Sequence, residues 1–470
     1  MIPRAPHPEL LLGRIQTDGG IVDAALGRLF PLRVALRDDQ VFTHRHIMGV
    51  AGMGKSKLLE AIILQQIRQG IPMSFLDPHS DAADAVLSSL IGMGYFNDPA
   101  AFDRLLYVEF AAGDRFMPFN VLSQPHLTPD VIADDVLEAM HRAWPELASG
   151  AAQFDTLVTN GIEVLLRNGL TLPALFNLIL DQNYRQALLA RVDNFGLRAY
   201  FDNFDKLKES EQANQSLSTI RRINLLTRSP IMEYGLGMVE NRLDFRKILD
   251  EGVSVIYDLG NVGNANARKL LGCLLTVGYE RAALSRRDVR DRIPHHLVID
   301  EFSQFAAQSS GALETILSET RKFGLFVTMS HQTWGQLGER LHGALQNVGV
   351  KIALRIGRED AETMAKWFGF VDPLTRKDER AYYSLQEQWE GWVDALVNLD
   401  PREALVKIGS EPARKMRTLD VPDFNVPRER VEEIKEIYRH RLMTPQGEAV
   451  LPHQQPLASS PKATRKRVLD

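Results

Sequence analysis

The stretch "HIMGVAGMGKSK", His46–Lys57, decides how the rest of the chain is read. It contains the spacing G-x-x-x-x-G-K-S, filled by Gly49, Gly54, Lys55 and Ser56. A loop that wraps a polyphosphate must turn several backbone N–H groups inward, and glycines allow that curvature. A helix that starts straight after the loop adds unpaired donors and the positive end of its dipole. In such a cradle Lys55 reaches the β- and γ-phosphates of a nucleoside triphosphate, and Ser56 offers its hydroxyl to Mg2+. Gly52 and Lys57 are counted with the nucleotide-contacting residues. The flanks agree, because "RHIMGV" is a short apolar strand and "SKLLEAIILQQIRQG" has helical apolar spacing. The plain alternative is a Gly-rich turn between a strand and a helix.

The chain around this loop has 470 residues, enough for two to three domains. At 44% hydrophobic and 24% charged it has the composition of a soluble globular protein. A net charge of −5 does not advertise nucleic acid, although a motor can confine its basic residues to a channel. The single cysteine, Cys273, lies in the apolar run "KLLGCLLTVGY", which reads as a buried thiol in a cytoplasmic protein. No signal peptide and no integral membrane segment is expected, so any work at the inner face of a membrane needs a recruiting partner.

Outward from the loop, strands and helices alternate. "IPMSFLDPHSDAADAVLSSL" is a strand ending in Asp77 followed by a helix, and "RLLYVEF" (104–110) is another strand. From about 125 to 240 the sequence is helical, with core stripes at Phe154, Leu157, Phe176, Leu180 and Phe201. The alternation resumes with the strands "VSVIYDLG", "HHLVID", "LFVTMSHQ" and "VGVKIALRIG". A helix is expected at "GALETILSETRKFG", another at "EDAETMAKWFG", and a hairpin at "GWVDALVNLDPREALVKIG". This predicts an α/β protein with a mostly parallel sheet and an all-α inserted domain. The expected organisation is a lead-in (1–40), a first core part (41–124), the insertion (125–240), a second core part (241–425), and a C-terminal helix with a disordered basic tail (426–470). The tail's "KATRKR" reads as solvated, with contact to DNA or acidic lipid as the alternative.

"HHLVIDEF" sharpens the reading. Asp300 at a strand tip can hold Mg2+ through water opposite Ser56, and Glu301 can orient and deprotonate an attacking water. Alone, two adjacent carboxylates there also suit a helix cap. Gln332, at the end of "LFVTMSHQ", is placed to sense a γ-phosphate. Arg321 in "SETRKFG" has two readings from spacing: a cation at a helix C-terminus, which the spacing favours, or an arginine finger reaching a neighbouring subunit. Arg355 and Arg358 are rival fingers.

Taken in order, "GVAGMGKS", "FLDPHSDAAD", "VIDEFSQF", "SETRKFGLFVTMSHQ" and "RIGREDAETMAKWFG" resemble the ATPase domain of conjugative coupling proteins. These are type IV secretion ATPases of the TraD/TraG kind, related to the HerA/FtsK translocases. The resemblance covers roughly residues 40 to 375, including the helical insertion. It implies a RecA-like P-loop NTPase core, a homo-hexameric ring, and ATP-driven movement of single- or double-stranded DNA. It also implies that Gly49, Gly54, Lys55 and Ser56 are the Walker A residues and that Asp300 and Glu301 are the Walker B pair. Arg321 matches the trans finger, which reverses the spacing-only preference, and Gln332 matches the sensor. A relaxase or secretion-channel proteins are the implied partners.

Members dedicated to secretion usually begin with transmembrane helices, and none is found here. Two other readings therefore stand beside the coupling protein. One is a cytoplasmic HerA-like translocase partnered with a nuclease in repair or defence. The other is a nucleotide-gated recruitment protein for protein cargo.

Overall fold

A computed structural model describes residues 7–16, 32–147, 152–306, 317–337, 339–377 and 382–454. The chain divides into two compact units. The first comprises 1–117, 138–149 and 243–443, and the second 118–137, 150–242 and 444–470.

The first unit is built on an 11-stranded sheet. Its strands are β1 (Glu9–Ile15), β2 (Arg33–Arg37), β3 (Arg45–Met48), β4 (Met73–Asp77), β5 (Leu105–Glu109) and β6 (Ser254–Asp258). They continue with β7 (His295–Ile299), β8 (Leu325–His331), β9 (Val350–Ala353), β10 (Glu403–Ile408) and β11 (Arg414–Thr418). Across the sheet the order is β2-β1-β11-β10-β9-β3-β8-β7-β4-β6-β5. From β9 to β5 every neighbouring pair is parallel, and from β9 to β2 every pair is antiparallel.

The sequence explains this division. β3, β4, β6 and β7 are buried at every position, as parallel strands covered on both faces must be. β1 and β2 carry polar residues toward solvent and bury Leu10, Val34 and Leu36. Helix α1 (Lys55–Arg68) packs Leu58, Leu59, Ile62, Ile63 and Ile67 into the core that holds Leu10, Ile47, Val350 and Ile352. α2 (Asp81–Gly92) follows β4. Cys273 lies buried within α3 (Ala265–Leu284), where burial pushes its thiol up to about 12. The chain returns to the first unit's edge with α4 (Arg428–Leu442), whose Tyr438 hydroxyl donates to the Leu105 carbonyl at 2.5 Å.

The expected hairpin over 391–409 is corrected. Leu385–Val397 is a helix, and β10 forms its hairpin with β11 beyond it while pairing with β9 on its other side. Ser384 and Glu387 form a capping box that starts this helix, and Val393 and Leu396 supply its buried face. The helix expected at "GALETILSETRKFG" falls partly outside the described residues. Of its described part, residues 317–319 are helical, and Thr320–Phe323 is a 3-10 turn closed by Gly324 in the left-handed conformation.

The second unit contains the helices Ala152–Arg167, Ala174–Leu180, Gln182–Leu189, Phe195–Lys206 and Glu209–Ile223. Among the described residues no strand lies between Phe116 and Ser254. Asp181 and Asn194 cap two of these helices with their side chains. Phe154, Leu157 and Phe201 are core, as their spacing predicts, and Phe176 is half-buried. Leu180 is the correction. As the last residue of its helix it stands 53% exposed, because the chain turns at Asp181 and no element among the described residues covers it.

Candidate functional site

The phosphate-loop segment lies at the C-terminal end of β3, between β9 and β8. The Gly49 amide donates to the His331 carbonyl at 3.3 Å, and the Val50 amide to the Arg355 carbonyl at 3.0 Å. These two bonds pin the loop's entry to both neighbouring strands. A side chain at Gly49 would put its Cβ 2.9 Å from Leu354 Cβ. Gly54 has φ +96, and a Cβ there would lie 3.0 Å from Arg402 Cγ. Both positions exclude other residues for stated reasons, one steric and one conformational.

Leu58 makes the first helical bond, to the Gly54 carbonyl. Among the described residues no protein acceptor is found for the backbone N–H groups from Ala51 to Lys57. A loop of unpaired donors at the start of a 14-residue helix is the donor set a polyphosphate requires. Ser56 is exposed at the helix start. Lys57 turns away, pairing its ammonium with Glu60 at 2.7 Å.

Three of the residues singled out in the sequence converge on one atom. The Lys55 ammonium donates to Glu301 Oε1 at 2.8 Å, and Gln332 Nε2 donates to the same oxygen at 2.9 Å. Lys55 and Glu301 are both buried. Burial alone would raise the Glu301 carboxyl, but the hydrogen bonds from Lys55 and Gln332 outweigh it and hold it below its ordinary value. The carboxylate form of Glu301 is thereby favoured. Asp300 lies beside it, its Oδ1 accepting from the Glu301 amide at 2.9 Å and the Ser330 hydroxyl at 2.6 Å. Ser56 and Asp300 supply the hydroxyl and carboxylate oxygens that suit Mg2+.

The strand order explains the convergence. β8 lies between β3 and β7, so the residues following β8 and β7 face the loop that follows β3. Brought to one end of a parallel sheet, these groups line the crevice where ligands of such sheets bind.

Arg321 is not brought there. It follows Thr320 in the turn before β8, at the opposite end of the sheet, and it is exposed with no ion pair among the described residues. Its charge helps to hold His44, which precedes β3, down at about 4, after the larger effect of burial. The length of β8, roughly 20 Å, separates it from Gln332. Arg358 is engaged with Glu390 and Glu362, while Arg355 is half-buried beside the loop.

Three features escape sequence reading. Glu301 has φ +46, a left-handed backbone that is strained for a non-glycine residue. Arg402 also has positive φ, at 72°. Its amide donates to the Met53 carbonyl at 2.9 Å, and its guanidinium binds Asp420 and the Thr418 carbonyl. Arg402 thus braces the loop from a turn, "DPRE", that reads as ordinary surface. A third feature is the buried pair His46 and His331, with Nε2 to Nε2 at 2.6 Å. His331 Nδ1 lies 3.1 Å from the Thr333 carbonyl, so a proton on Nδ1 leaves Nε2 to accept from His46. The pair ties β3 to β8 just below the loop and Gln332.

No protein-family model and no curated protein matches the sequence. Solved structures do. The bacterial conjugative coupling protein TrwBdeltaN70, unbound, superposes with a TM-score of 0.59 at 18% identity, over 90% of this chain and 97% of that one. The chain has the fold of a conjugative coupling protein. TrwB in complex with ADP and Mg2+ superposes at 0.55, with 18% identity over 89% of this chain and 96% of that one. VirB4 of Thermoanaerobacter pseudethanolicus superposes at 0.53, with 17% identity over 90% and 98%. The chain accordingly joins a mostly parallel α/β sheet to a unit whose described elements between Phe116 and Ser254 are helical. Among the described residues no helix is long and apolar enough to cross a membrane.

Proposed function

We propose that this chain is an ATP-hydrolysing DNA translocase of the coupling-protein kind, working as a ring of identical subunits in conjugative type IV secretion. The observation that carries the reading is the shared oxygen of Glu301, held by Lys55 and Gln332 at the mouth of a loop of unpaired amides. The likeness in fold to TrwB, a plasmid coupling protein solved with ADP and Mg2+, supports it.

In this reading the amides of Ala51 to Lys57, with Gly49, Gly52 and Gly54 shaping the loop, cradle the phosphates of ATP. Lys55 neutralises them. Ser56 and Asp300 hold Mg2+, which supplies further neutralisation of phosphate charge. Glu301 orients water for attack and takes its proton. Gln332, bonded to the same carboxylate, couples nucleotide contact to β8. Arg321 cannot reach its own subunit's loop along a strand of this length, so it acts on a neighbour's, as a trans finger. The helical insertion receives substrate.

The test is nucleotide turnover by the whole chain with and without single- and double-stranded DNA, with Glu301→Gln as the control. Turnover raised by DNA and lost in the variant is the expected result. DNA-insensitive turnover would replace the reading with nucleotide-gated recruitment of protein cargo.

A further inference from the structure

The antiparallel edge of the sheet carries an arrangement that the nucleotide site does not use. β1 sets Arg14 directly opposite Arg33 of β2 on one side and directly opposite Arg417 of β11 on the other. Directly opposed residues of antiparallel strands project from the same face. That face is the solvent one, because Leu10, Val34 and Leu36 fill the other. All three arginines are exposed, and none has an ion pair among the described residues.

Like charges placed directly opposite each other destabilise a sheet. Three in a row, in a chain whose net charge is −5, oppose both local pairing and the overall charge balance. Two carboxylates stand close by, and both are engaged elsewhere. Glu403 of β10 directly opposes Arg417, but its Oε2 accepts the Asp400 amide at 3.0 Å and lies 3.2 Å from the Lys415 ammonium. Asp420, within the field of Arg417 and Arg14, is hydrogen bonded to Arg402.

We propose that Arg33, Arg14 and Arg417 form a strip that binds the phosphate backbone of a nucleic-acid strand. The inference rests on the translocase reading and names where on the first unit the strand lies. Guanidinium forks suit phosphate oxygens bidentately. With strands about 4.8 Å apart the row spans roughly 10 Å, and over that length one strand of B-DNA presents about three phosphates. The strip also adjoins the nucleotide loop. Thr418, next to Arg417, donates its amide to the Arg402 carbonyl at 2.8 Å, and Arg402 in turn donates to the Met53 carbonyl. A strand held on the arginines is two backbone hydrogen bonds from the phosphate loop.

The experiment is fluorescence anisotropy of labelled single-stranded and duplex oligonucleotides, from about 50 to about 200 mM salt. It compares the wild-type chain, the triple variant Arg14→Gln/Arg33→Gln/Arg417→Gln, and the matching triple Arg→Lys variant. Loss of three phosphate contacts should reduce the slope of log affinity against log salt by about 2 to 3 and cut affinity at least tenfold at the lowest salt. The Lys variant should keep the slope, and the Gln variant should melt no lower than wild type. Wild-type binding with an unchanged slope in the Gln variant overturns the strip alone. So does unchanged DNA binding with altered assembly by sizing, which would make the row a contact between copies, or a loss of ATP affinity only. A wild-type chain that binds no nucleic acid at any salt overturns the translocase reading and the strip together.

Discussion

Replacing Glu301 separates backbone strain from charge pairing at one position. Glu301→Ala removes the acceptor of Lys55, whose side chain is 7% exposed, and of Gln332. Removing one partner of a fully buried pair costs about 3–5 kcal/mol. This pair sits at the mouth of a loop and can admit water, so a charged hydrogen bond's worth, about 2–3 kcal/mol, is the better figure. Glu301→Gln keeps an oxygen acceptor and should cost about 1 kcal/mol. Glu301→Gly loses the carboxylate as Ala does, but it relaxes the left-handed backbone at φ +46, which recovers about 1–2 kcal/mol. Gly should therefore be more stable than Ala here, against its usual rank in regular structure. Urea unfolding followed by tryptophan fluorescence is the assay. Trp144, Trp334, Trp367, Trp389 and Trp392 all lie in the first unit, so the signal reports on the unit that holds the site. The pH dependence has a definite sign. Glu301 is held below its ordinary value of 4.5, so its contribution is present above that value and is lost as pH falls below it toward the depressed one. The gap between wild type and Glu301→Gln should shrink over that window. Ala equal to or more stable than Gly, or a gap that widens in acid, would refute the geometry assigned to Glu301.

Other consequences can be tested alongside. Lys55→Ala should abolish nucleotide binding in a titration while the chain keeps its circular-dichroism spectrum, because Glu301 can then turn to water. Gly54→Ala places a Cβ against Arg402 in a left-handed residue and should cost about 1–2 kcal/mol, with nucleotide affinity falling as well. Adding Arg402→Gly should recover part of that loss, since the pair is in contact and their effects are not additive. Arg321→Ala and Glu301→Gln chains, each inactive alone, should regain turnover when mixed, because an active site formed between them can take one intact residue from each. Strict additivity in the second test, or no recovery in the third, would count against the bracing role of Arg402 or the trans role of Arg321.

Much of the site was legible because its signals are local. Gly49, Gly54, Lys55 and Ser56 sit at fixed spacing between a strand and a helix, and Asp300 and Glu301 close an apolar run. The convergence of Lys55, Glu301 and Gln332 needed only the inference that their strands share a sheet. What was hidden depends on contacts distant in the chain. Arg402 meets the loop across some 350 residues of sequence, a distance no periodicity reports. Its positive φ, like that of Glu301, leaves no mark on residue type. The pairing of Arg14 with Arg33 and Arg417 is a matter of register, which a β-bulge between Leu11 and Gly13 shifts by one residue. The second half of the helix Leu385–Val397 resembles a strand on its own, because the capping box that starts the helix lies upstream at Ser384 and Glu387.

In the proposed function the Glu301 carboxylate, held by Lys55 and Gln332, catalyses nucleotide hydrolysis that nucleic acid stimulates. Steady-state ATP turnover by the purified chain at low salt, with and without single- and double-stranded DNA, tests it most directly. The prediction is turnover that rises with DNA and falls about 10²–10⁴-fold in Glu301→Gln, with nucleotide still bound. Turnover that survives in Glu301→Gln, or that ignores DNA in the wild-type chain, would contradict it.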